Sequence, residues 1–550
     1  MARLDAAKGN SAISRRELLG IGAAGGAALL TGGIGSLVAA SDAPWIEATI
    51  PQLQVMMAGG ALTSRALTLG YLERIRALNP LLAAVIETNP EAVAIAARRD
   101  AERRAGVVRG PLHGIPILVK DNIATGDTMQ TTAGSLALVN SKVPGDAPIV
   151  ARLRAAGAVI LGKTNLSEWA NFRGFAPFNG WSARGGFTRD PYLLSFDPCG
   201  SSSGSGVAPA ANLCAAAVGT ETDGSVVCPA GNNLVVGLKP SIGLLAQDGI
   251  IPIGHSQDTA GPMTRTVTDV AILLGVMQTP AAGVPGSYLP SLRRRSLAGK
   301  VIGVDQRYFT PAFGGEPDLV AVAQEGLAAM TALGATLVDV DTGDPLLFFD
   351  DEFTVLLVEF KAQIAEYLAT LEHTSVRTLA DLIAFNIAHC PAEMKYFGQE
   401  LFEISESTSG DLTDPAYLAA RANSASLARN GIDGALLTVD AIVAPTYSFA
   451  SSPAAVAGYP NISIPVGLTP EGKPAGLWMY AGFHQESKLI SFAFDLEQEV
   501  QPRQAAQFLG AVPPEPPDAG ICAGLPKKPH VFTGKAHLPH HLGTGKTIHW

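Results

Sequence analysis

Two serine- and glycine-rich segments, Gly200-Ser-Ser-Ser-Gly-Ser-Gly206 and Gly219-Thr-Glu-Thr-Asp-Gly-Ser225, enclose an alanine-rich stretch. That stretch is predicted to form a helix from Val207 to Val218. Small residues at this density make a poor hydrophobic core, but they allow the backbone to approach a substrate closely. The two segments are therefore the candidate functional region, and the elements on either side of them indicate how the chain folds around it.

Short apolar runs alternate with helical patterns on both sides of this region. Strands are predicted at 115–119, 158–161, 441–444 and 462–466. Helices are predicted at 64–79, 90–105, 149–156 and 487–499. Such alternation predicts an α/β sheet covered by helices on both faces. Residues 280–430 are more helical and are predicted to form a lobe over the mouth of the site.

The composition excludes two classes of protein. The 550 residues include 39 Lys and Arg against 49 Asp and Glu, a formal net charge of -10, and 47% of them are hydrophobic. A disordered chain needs low hydrophobicity and a high charge density. A nucleic-acid-binding protein needs a basic surface, which this sequence does not supply. The chain is therefore predicted to be a large globular protein with no nucleic-acid partner.

The first 40 residues resemble a twin-arginine export signal. Arg15 and Arg16 precede an uncharged run from Leu18 to Ser41, and Val38-Ala39-Ala40 supplies small residues suited to signal-peptidase cleavage. We therefore expect an exported protein, periplasmic or secreted, whose mature chain begins near Ser41 and has no stable membrane association. The alternative is an uncleaved membrane anchor, since the run is long enough to cross a bilayer.

A tail rich in proline and histidine is predicted at 511–550, after a main domain at 41–510. The tail holds five of the ten histidines, and we expect it to be solvated and poorly ordered; the alternative is metal binding. The five cysteines of the chain lack metal-type spacing. Proteins exported by the twin-arginine route fold in the reducing cytoplasm, so disulfides are not expected to be needed. The cysteines are predicted to be buried small apolar residues rather than metal ligands.

Three interpretations of the Ser/Gly region compete. The first is an anion-binding loop at a helix N-terminus, formed by residues 200–206, although no phosphate-binding lysine follows. The second is a nucleophile elbow, because Gly200-Ser-Ser-Ser-Gly204 matches G-x-S-x-G with Ser202 at its centre. An elbow requires a strand immediately before it, whereas the preceding residues have the character of a loop. The third joins Lys120, at the end of a predicted strand, to both segments.

The third interpretation depends on further segments that occur in a characteristic order. They are Gly110-Pro-Leu-His-Gly-Ile-Pro-Ile-Leu-Val-Lys-Asp-Asn-Ile123, Val236-Gly-Leu-Lys-Pro240, Gly249-Ile-Ile-Pro-Ile253 and Ser256-Gln-Asp-Thr-Ala-Gly-Pro262. Together with the two Ser/Gly segments they resemble the amidase signature family, over most of the chain after the leader, and within it the bacterial peptide-amidase branch. The resemblance implies that family's fold, a large mixed, mostly parallel central sheet covered by helices on both faces.

The resemblance also implies roles for individual residues. Ser225 would be the acyl-accepting nucleophile, Ser201 a bridging serine after a cis Gly200–Ser201 bond, and Lys120 the base. The backbone N–H groups implied for the oxyanion hole belong to Thr222, Asp223, Gly224 and Ser225, and the residues implied to support the substrate loop are Gly200 and Ser202. These residue types suit the chemistry. A serine is a weak nucleophile until a neighbour removes its proton, and a lysine can remove it only when burial keeps the amine neutral.

Several nearby residues receive a structural interpretation. Lys163 and Lys239 lie in or after predicted strands, but they lack the family context of Lys120, so we expect them to be structural. His255 lies near a loop rim where it could contact substrate, but it too is predicted to be structural. Glu221 stands where many family members carry aspartate, which we interpret as a feature of the peptide-amidase branch.

These residues predict a serine amidase that hydrolyses carboxylic amides through an acyl-serine intermediate, with peptide C-terminal amides as the favoured substrates. The alternatives are an aryl- or aliphatic-amide hydrolase of the same family and a catalytically silent binding protein on the same fold. A role within an amidotransferase complex is disfavoured, because such a complex works in the cytoplasm and needs no export leader. The predicted chemistry uses no metal or organic cofactor, and the partner it implies is a small-molecule or peptide amide.

Overall fold

The computed structural model describes residues 43–280 and 285–524. The predicted leader at 1–40 lies outside the described residues, and so do residues 525–550 of the predicted tail. The chain divides into two compact units, Met1–Ile46 and Glu47–Trp550, and every element below belongs to the second. Within the described ranges, no helix is both long and apolar enough to cross a bilayer.

The second unit is built around one large sheet. Its strands and those of a small separate hairpin are, in chain order, β1 (Val85–Thr88), β2 (Pro116–Lys120), β3 (Val159–Thr164), β4 (Trp181–Ser182), β5 (Gly186–Phe187), β6 (Ala216–Glu221), β7 (Val236–Lys239), β8 (Thr259–Thr264), β9 (Val301–Val304), β10 (Thr336–Asp339), β11 (Ala441–Pro445), β12 (Asn461–Leu468) and β13 (Pro474–Tyr480). Eleven of them form the large sheet in the order β1-β3-β2-β6-β8-β7-β12-β13-β11-β9-β10, and β4 pairs with β5.

Strand direction changes along this sheet. Near one edge β3, β2 and β6 run parallel to one another, and at the other edge β11, β9 and β10 do the same. The strands between these groups pair antiparallel with their neighbours, and β1 is an antiparallel edge strand. The sheet is therefore mixed, which confirms the predicted fold class.

Helices cover the sheet. β2, β3, β6, β7 and β8 are buried along their whole length, as expected for strands with both faces covered. The helices are α1 (Ile50–Ala58), α2 (Ser64–Leu82), α3 (Ala92–Arg104), α4 (Pro148–Ala155), α5 (Ser203–Ala210), α6 (Val227–Asn232), α7 (Val267–Met277), α8 (Pro317–Ala332), α9 (Leu346–Thr370), α10 (Leu379–Ala388), α11 (Cys390–Glu393), α12 (Glu400–Ser407), α13 (Pro415–Leu436), α14 (Ser451–Ala457), α15 (Glu486–Val500) and α16 (Ile521–Gly524).

The segment predicted as a helical lobe is mainly helical but is not separate from the sheet. Besides its helices it contributes β9 and β10 to the sheet edge. Its long helix α9 packs against α13 through an apolar cluster that includes Val355, Val358, Tyr417 and Ala420. The lobe is therefore attached to the main sheet through its own strands.

The helix predicted between the two Ser/Gly segments is wrong in its second half. α5 ends at Ala210, and β6 begins at Ala216. β6 lies between β2 and β8, where a fully buried strand needs small apolar side chains. Tertiary packing therefore overrides the helix preference of alanine. As a result, a strand rather than a helix leads into the second Ser/Gly segment.

Two disulfides, Cys199–Cys228 and Cys390–Cys522, correct the prediction for the cysteines. Only Cys214, among the five cysteines, all of them described, is free and buried as predicted. The paired cysteines are 29 and 132 residues apart in sequence. Such pairing depends on proximity in the folded chain, so cysteine spacing alone does not reveal it.

The main domain extends beyond its predicted end at residue 510. Cys522 is bonded to Cys390, and Tyr396 Oη donates to Glu515 Oε2 at 2.7 Å. Ala519 N also donates to the carbonyl oxygen of Lys395 at 2.9 Å. Residues 511–524 are thus attached to the helical segment, whereas residues 525–550 of the predicted tail lie outside the described residues.

Candidate active site

The ends of two neighbouring parallel strands bring the predicted site residues together. β2 ends at Lys120, and its parallel neighbour β6 ends at Glu221. Because the carboxyl ends of parallel strands meet at one edge of a sheet, Lys120 lies beside the segment that follows β6. The start of α5 carries the other Ser/Gly segment to the same place, where Ser202 N donates to the carbonyl oxygen of Ser225 at 3.3 Å.

Lys120 is completely buried and contacts the predicted bridging serine. Its Nζ donates to Ser201 Oγ at 2.8 Å. It also donates to Thr220 Oγ1 at 3.0 Å and to the carbonyl oxygen of Thr220 at 3.3 Å. Asn122 Nδ2 donates to the same threonine hydroxyl at 3.0 Å. Thr220, on β6, therefore fixes the position of the amine beside Ser201.

Burial lowers the pKa of Lys120 to about 7, because the ammonium ion loses its hydration in this site. The carboxyl groups of Asp258 and Glu221 oppose this shift, since nearby negative charge favours the ammonium form. Burial also raises the pKa of Asp258 to about 6 and the pKa of Glu221 above its ordinary value, which weakens that opposition. Near neutral pH a substantial fraction of Lys120 is therefore the neutral amine, which can accept a proton.

The loop before Ser201 is packed against a neighbouring turn. The Gly200–Ser201 peptide bond is cis, as the resemblance implied. A Cβ atom on Gly200 would collide with Ser167 Oγ and Asn179 Oδ1, so the position requires glycine. Ser167 N in turn donates to the carbonyl oxygen of Ser201 at 3.0 Å. The turn at Ser167 thereby holds the loop in place.

Ser202, the centre of the G-x-S-x-G match, is engaged with the backbone. Its hydroxyl donates to the carbonyl oxygen of Thr220 at 2.9 Å and accepts from Thr220 N at 3.1 Å. Residues 198–200, just before it, form no strand. The nucleophile-elbow interpretation is therefore wrong, and Ser202 joins the first Ser/Gly segment to β6.

The turn from Thr222 to Ser225 presents its backbone amides. Gly224 has φ +75°, a left-handed conformation that favours glycine. In the part of the chain that the structure describes, the N–H groups of Thr222, Asp223, Gly224 and Ser225 donate to no protein acceptor. Unpaired amides on one turn can receive a developing oxyanion.

A buried carboxyl group that the sequence analysis assigned no role supports this turn. Thr222 Oγ1 donates to Asp258 Oδ1 at 2.5 Å. The other oxygen of Asp258 accepts from Ile253 N at 2.8 Å and from Gly254 N at 3.1 Å. Asp258 lies in Ser256–Pro262, one of the segments that carry the family resemblance. That position is the sequence signal from which its role could have been predicted.

The turn is also held from its other side. Glu221 Oε2 accepts from Val226 N at 2.7 Å and from Val227 N at 2.9 Å, which ties the end of β6 to the start of α6. Of the predicted residues, Lys120 and Ser201 are in direct contact. Among the described residues no hydrogen bond joins the hydroxyls of Ser201 and Ser225. The two segments meet where Ser202 N bonds to the carbonyl oxygen of Ser225 and Ser202 Oγ bonds to the backbone of Thr220.

The two other lysines have structural partners. Lys163 Nζ donates to the carbonyl oxygen of Ile123 at 2.5 Å and to Thr131 Oγ1 at 2.9 Å. Lys239 Nζ donates to the carbonyl oxygen of Ala454 at 3.4 Å. Burial lowers the pKa of each lysine to about 8. In the described structure neither amine bonds to a serine of the two segments.

Ser225 lines a small, partly open cavity. The apolar residues of its wall are Ala170, Phe172, Ile253, Phe349, Phe353 and Leu356, and the polar ones are Thr222, Asp223, Ser225 and Glu352. On the other side of Asp223 and Gly224, an open cleft of about 950 Å³ is lined by the Cys199–Cys228 disulfide and by Tyr447 and Trp478, among others. Space for a substrate therefore adjoins the turn on two sides.

His255 lines neither of these spaces. It is exposed and borders a separate cavity of about 1240 Å³, and its backbone N donates to Gln363 Oε1 at 2.8 Å. In residues 43–280 and 285–524, no group of three or more His, Cys, Asp or Glu side chains is arranged to hold a metal ion.

Known proteins resemble this chain over most of its length. The family model described as Amidase matches residues 66–451. The native peptide amidase from Stenotrophomonas maltophilia is 47% identical, with a TM-score of 0.79, over 84% of this chain and 99% of that chain. A probable amidase of Arabidopsis thaliana is 41% identical over 84% of this chain and 92% of that protein.

More distant relatives include a glutamyl-tRNA(Gln) amidotransferase protein of Myxococcus xanthus, which is 31% identical over 82% of this chain and 97% of that protein. The matched range contains Lys120, Ser201 and Ser225 together with the strands that position them. The chain therefore belongs to the amidase signature family and is an amide-hydrolysing enzyme.

Proposed function

We propose that the protein is a serine amidase in which Ser225, Ser201 and Lys120 carry out hydrolysis through an acyl-serine intermediate. The observation that carries this proposal is the 2.8 Å contact between Lys120 Nζ and Ser201 Oγ in a completely buried site. Burial lowers the pKa of this lysine to about 7, so the amine can act as a base at physiological pH.

The hydroxyl of Ser201 relays a proton between Ser225 and Lys120. Ser225 Oγ attacks the amide carbonyl carbon, its proton passes to Ser201, and Ser201 passes its own proton to neutral Lys120. Lys120 then returns a proton through Ser201 to the leaving nitrogen as the C–N bond breaks. Water attacks the resulting ester along the same proton path, which releases the acid and restores Ser225. Rotation of the Ser225 hydroxyl toward Ser201 completes the path, and catalytic hydrogen bonds are often looser without substrate.

The turn before Ser225 would stabilise the oxyanion. The N–H groups of Thr222, Asp223, Gly224 and Ser225 are without protein acceptors in the described structure. In other hydrolases the loss of one such donor costs roughly 10²–10³-fold in kcat. The hydrogen bond from Thr222 to Asp258 supports this geometry from below the turn.

Peptide C-terminal amides are the proposed substrates. The 47% identity with the peptide amidase of Stenotrophomonas maltophilia supports this choice. The open cleft that adjoins the turn at Asp223 and Gly224 offers space for more than a short aliphatic amide. The alternatives within the family are aryl- or aliphatic-amide hydrolysis. A silent binding protein would not need a buried lysine whose pKa is lowered to about 7.

We also propose that the chain is exported and that its leader is removed near Ser41. The paired arginines and the uncharged run after them support export. The two disulfides fit an oxidising compartment, where such bonds persist. N-terminal sequencing of the protein from the cell envelope or medium should find a chain that begins near Ser41. An intact leader on membrane-bound protein would support the anchor instead.

A hydrolysis panel tests the proposed reaction. Ammonia or amine release from peptide amides, aryl amides and short aliphatic amides should be fastest with the peptide amides. Ser225→Ala should lower kcat by roughly 10⁴-fold or more, because the nucleophile is lost. Ser202→Ala should keep most of the activity, since in the described structure this hydroxyl bonds to the backbone of Thr220 and to no other group. The reverse result for the two serines would contradict the proposed nucleophile.

A further inference from the structure

Two carboxyl groups share the cavity beside Ser225, and the proposed proton path uses neither of them. Asp223 is on the turn after β6, and Glu352 is on α9 of the helical lobe. They are 7% and 5% exposed, and both line the same cavity as Ser225. The rest of that wall is mostly aromatic and aliphatic. Burying acidic groups in apolar surroundings is costly unless donors reach them.

The donors that reach this pair leave part of it unsatisfied. Gln257 Nε2 donates to Glu352 Oε1 at 2.8 Å and to the carbonyl oxygen of Thr222 at 3.4 Å. Ser452 Oγ donates to Asp223 Oδ2 at 2.5 Å. The other oxygen of Asp223 is buried, and among the described residues no donor reaches it. Since buried acceptors in proteins are nearly always paired, this oxygen is available to a donor that a ligand brings.

Electrostatics points the same way. Burial, with the negative charge of Asp223, raises the pKa of Glu352 well above its ordinary value. Burial likewise raises the pKa of Asp223, although the neighbouring hydroxyls of Ser452 and Ser451 oppose the shift. A ligand that brings an N–H donor or a positive charge would relieve both groups at once.

We propose that Asp223 and Glu352 bind an N–H group on the acyl part of the substrate, and that Glu352 sets the preference for acyl groups that carry one. The proposal rests on the proposed function, because it takes Ser225 as the acylated residue. The acyl carbon must bond to Ser225 Oγ, so the atoms attached to that carbon occupy the cavity that Ser225 lines. In an amino-acid residue, one atom, Cα, separates the α-nitrogen from the carbonyl carbon. The favoured substrates are therefore amides of α-amino acyl groups, with an apolar side chain against Phe353 and Leu356.

A pair of substrates that differ in one N–H group tests the proposal. They are N-acetyl-L-leucinamide and its analogue with an ester oxygen in place of the α N–H. The wild-type kcat/KM should favour the first by about tenfold, the value of one hydrogen bond to an acidic acceptor. Glu352→Met should reduce this ratio to less than about threefold, and Glu352→Gln, which keeps an acceptor oxygen, should retain part of it.

Control variants separate recognition from folding. Asp350→Asn removes an exposed carboxyl group from the same helix and should leave the substrate ratio unchanged. Because the readout is a ratio of two substrates on one enzyme, a partly unfolded preparation does not alter it. If Glu352→Met does not fold, Glu352→Gln still decides the matter, since a substrate ratio in Glu352→Gln that equals the wild-type ratio overturns the role of Glu352.

A third substrate distinguishes the two sources of the N–H group. L-Leucinamide carries an ammonium group where N-acetyl-L-leucinamide carries a peptide N–H. A larger loss for leucinamide in Glu352→Gln identifies the ammonium as the preferred occupant, and an equal loss for both identifies the peptide N–H. If wild-type enzyme cleaves none of the three amides, the proposed function itself fails. If it cleaves all three with equal kcat/KM, the function stands and the role of Glu352 is overturned.

Discussion

Lys120 and Lys163 are two lysines with equal burial and very different surroundings. Both are completely buried, near the carboxyl ends of the neighbouring parallel strands β2 and β3. In register, Lys120 pairs with Thr164, and Val119 pairs with Lys163. Because side chains alternate along a strand, the two amines extend to opposite faces of the sheet. The same strand ends thus serve two different sites.

The partners of each amine decide its role. Burial lowers the pKa of Lys120 to about 7 and that of Lys163 to about 8, so both lysines can be neutral under mild conditions. Both amines contact a threonine hydroxyl and a backbone carbonyl oxygen, but of the two Lys120 alone also contacts Ser201 Oγ, a hydroxyl that can both accept and donate a proton. Lys163 contacts a backbone carbonyl oxygen and Thr131. A lowered pKa therefore does not by itself identify a base in this protein.

The largest expected difference in kcat between the two lysines comes from making the same substitution at each of them. Lys120→Met should lower kcat by roughly 10²–10⁴-fold, because the proposed general base is lost. Lys163→Met should change kcat per folded molecule by less than about tenfold. Circular dichroism measures the fraction of folded protein in each preparation, and the kcat of each variant is divided by that fraction. Equal losses of kcat in both variants would contradict the assignment of a catalytic role to Lys120 and a structural role to Lys163.

The pH dependence of acylation gives the next largest effect. In the proposed mechanism the neutral amine is the active form of Lys120, and the neutral fraction of a group with a pKa of about 7 rises about tenfold from pH 6 to pH 8. Single-turnover acylation should therefore rise by that factor and level off above pH 8. Lys163→Met should keep the same midpoint. A flat profile from pH 6 to pH 9 would contradict a lysine base.

The smallest expected effect concerns the threonines that hold the two amines. Thr220→Val removes a hydroxyl that Lys120 and Asn122 share, and should lower kcat about fivefold, the value of one neutral hydrogen bond. Thr131→Val removes the matching partner of Lys163 and should leave kcat unchanged. Steady-state kinetics at pH 8 checks both variants. A larger loss in Thr131→Val than in Thr220→Val would reverse the comparison.

The site was predictable where its chemistry lies in short contiguous segments. Lys120 closes an apolar run, and Ser201 lies in a Ser/Gly segment whose composition is unusual for a core. β6 was not predictable in this way, because its alanine-rich sequence is compatible with a helix and only its place between β2 and β8 makes it a strand. Local preference decides an element only when packing does not oppose it.

The two disulfides and the acidic pair, Asp223 and Glu352, could not be predicted from sequence patterns, for another reason. Cys390 and Cys522 are 132 residues apart, and Gln257 meets Glu352 across 95 residues of sequence. Nothing in the spacing of such residues reports their contact. Glu352 in particular lies in a helix whose residues carry no motif, and its role follows from the cavity that it shares with Ser225.

The amino-acid sequence by itself determined the fold class, the family and the candidate basic and hydroxyl groups, because each of these depends on motifs with fixed local spacing. The tertiary structure alone decided which of two equally buried lysines meets Ser201, which cysteines pair, and which carboxyl groups face Ser225. The physical reason is that strand register and long-range packing place side chains on one face or the other, and burial then sets their charge.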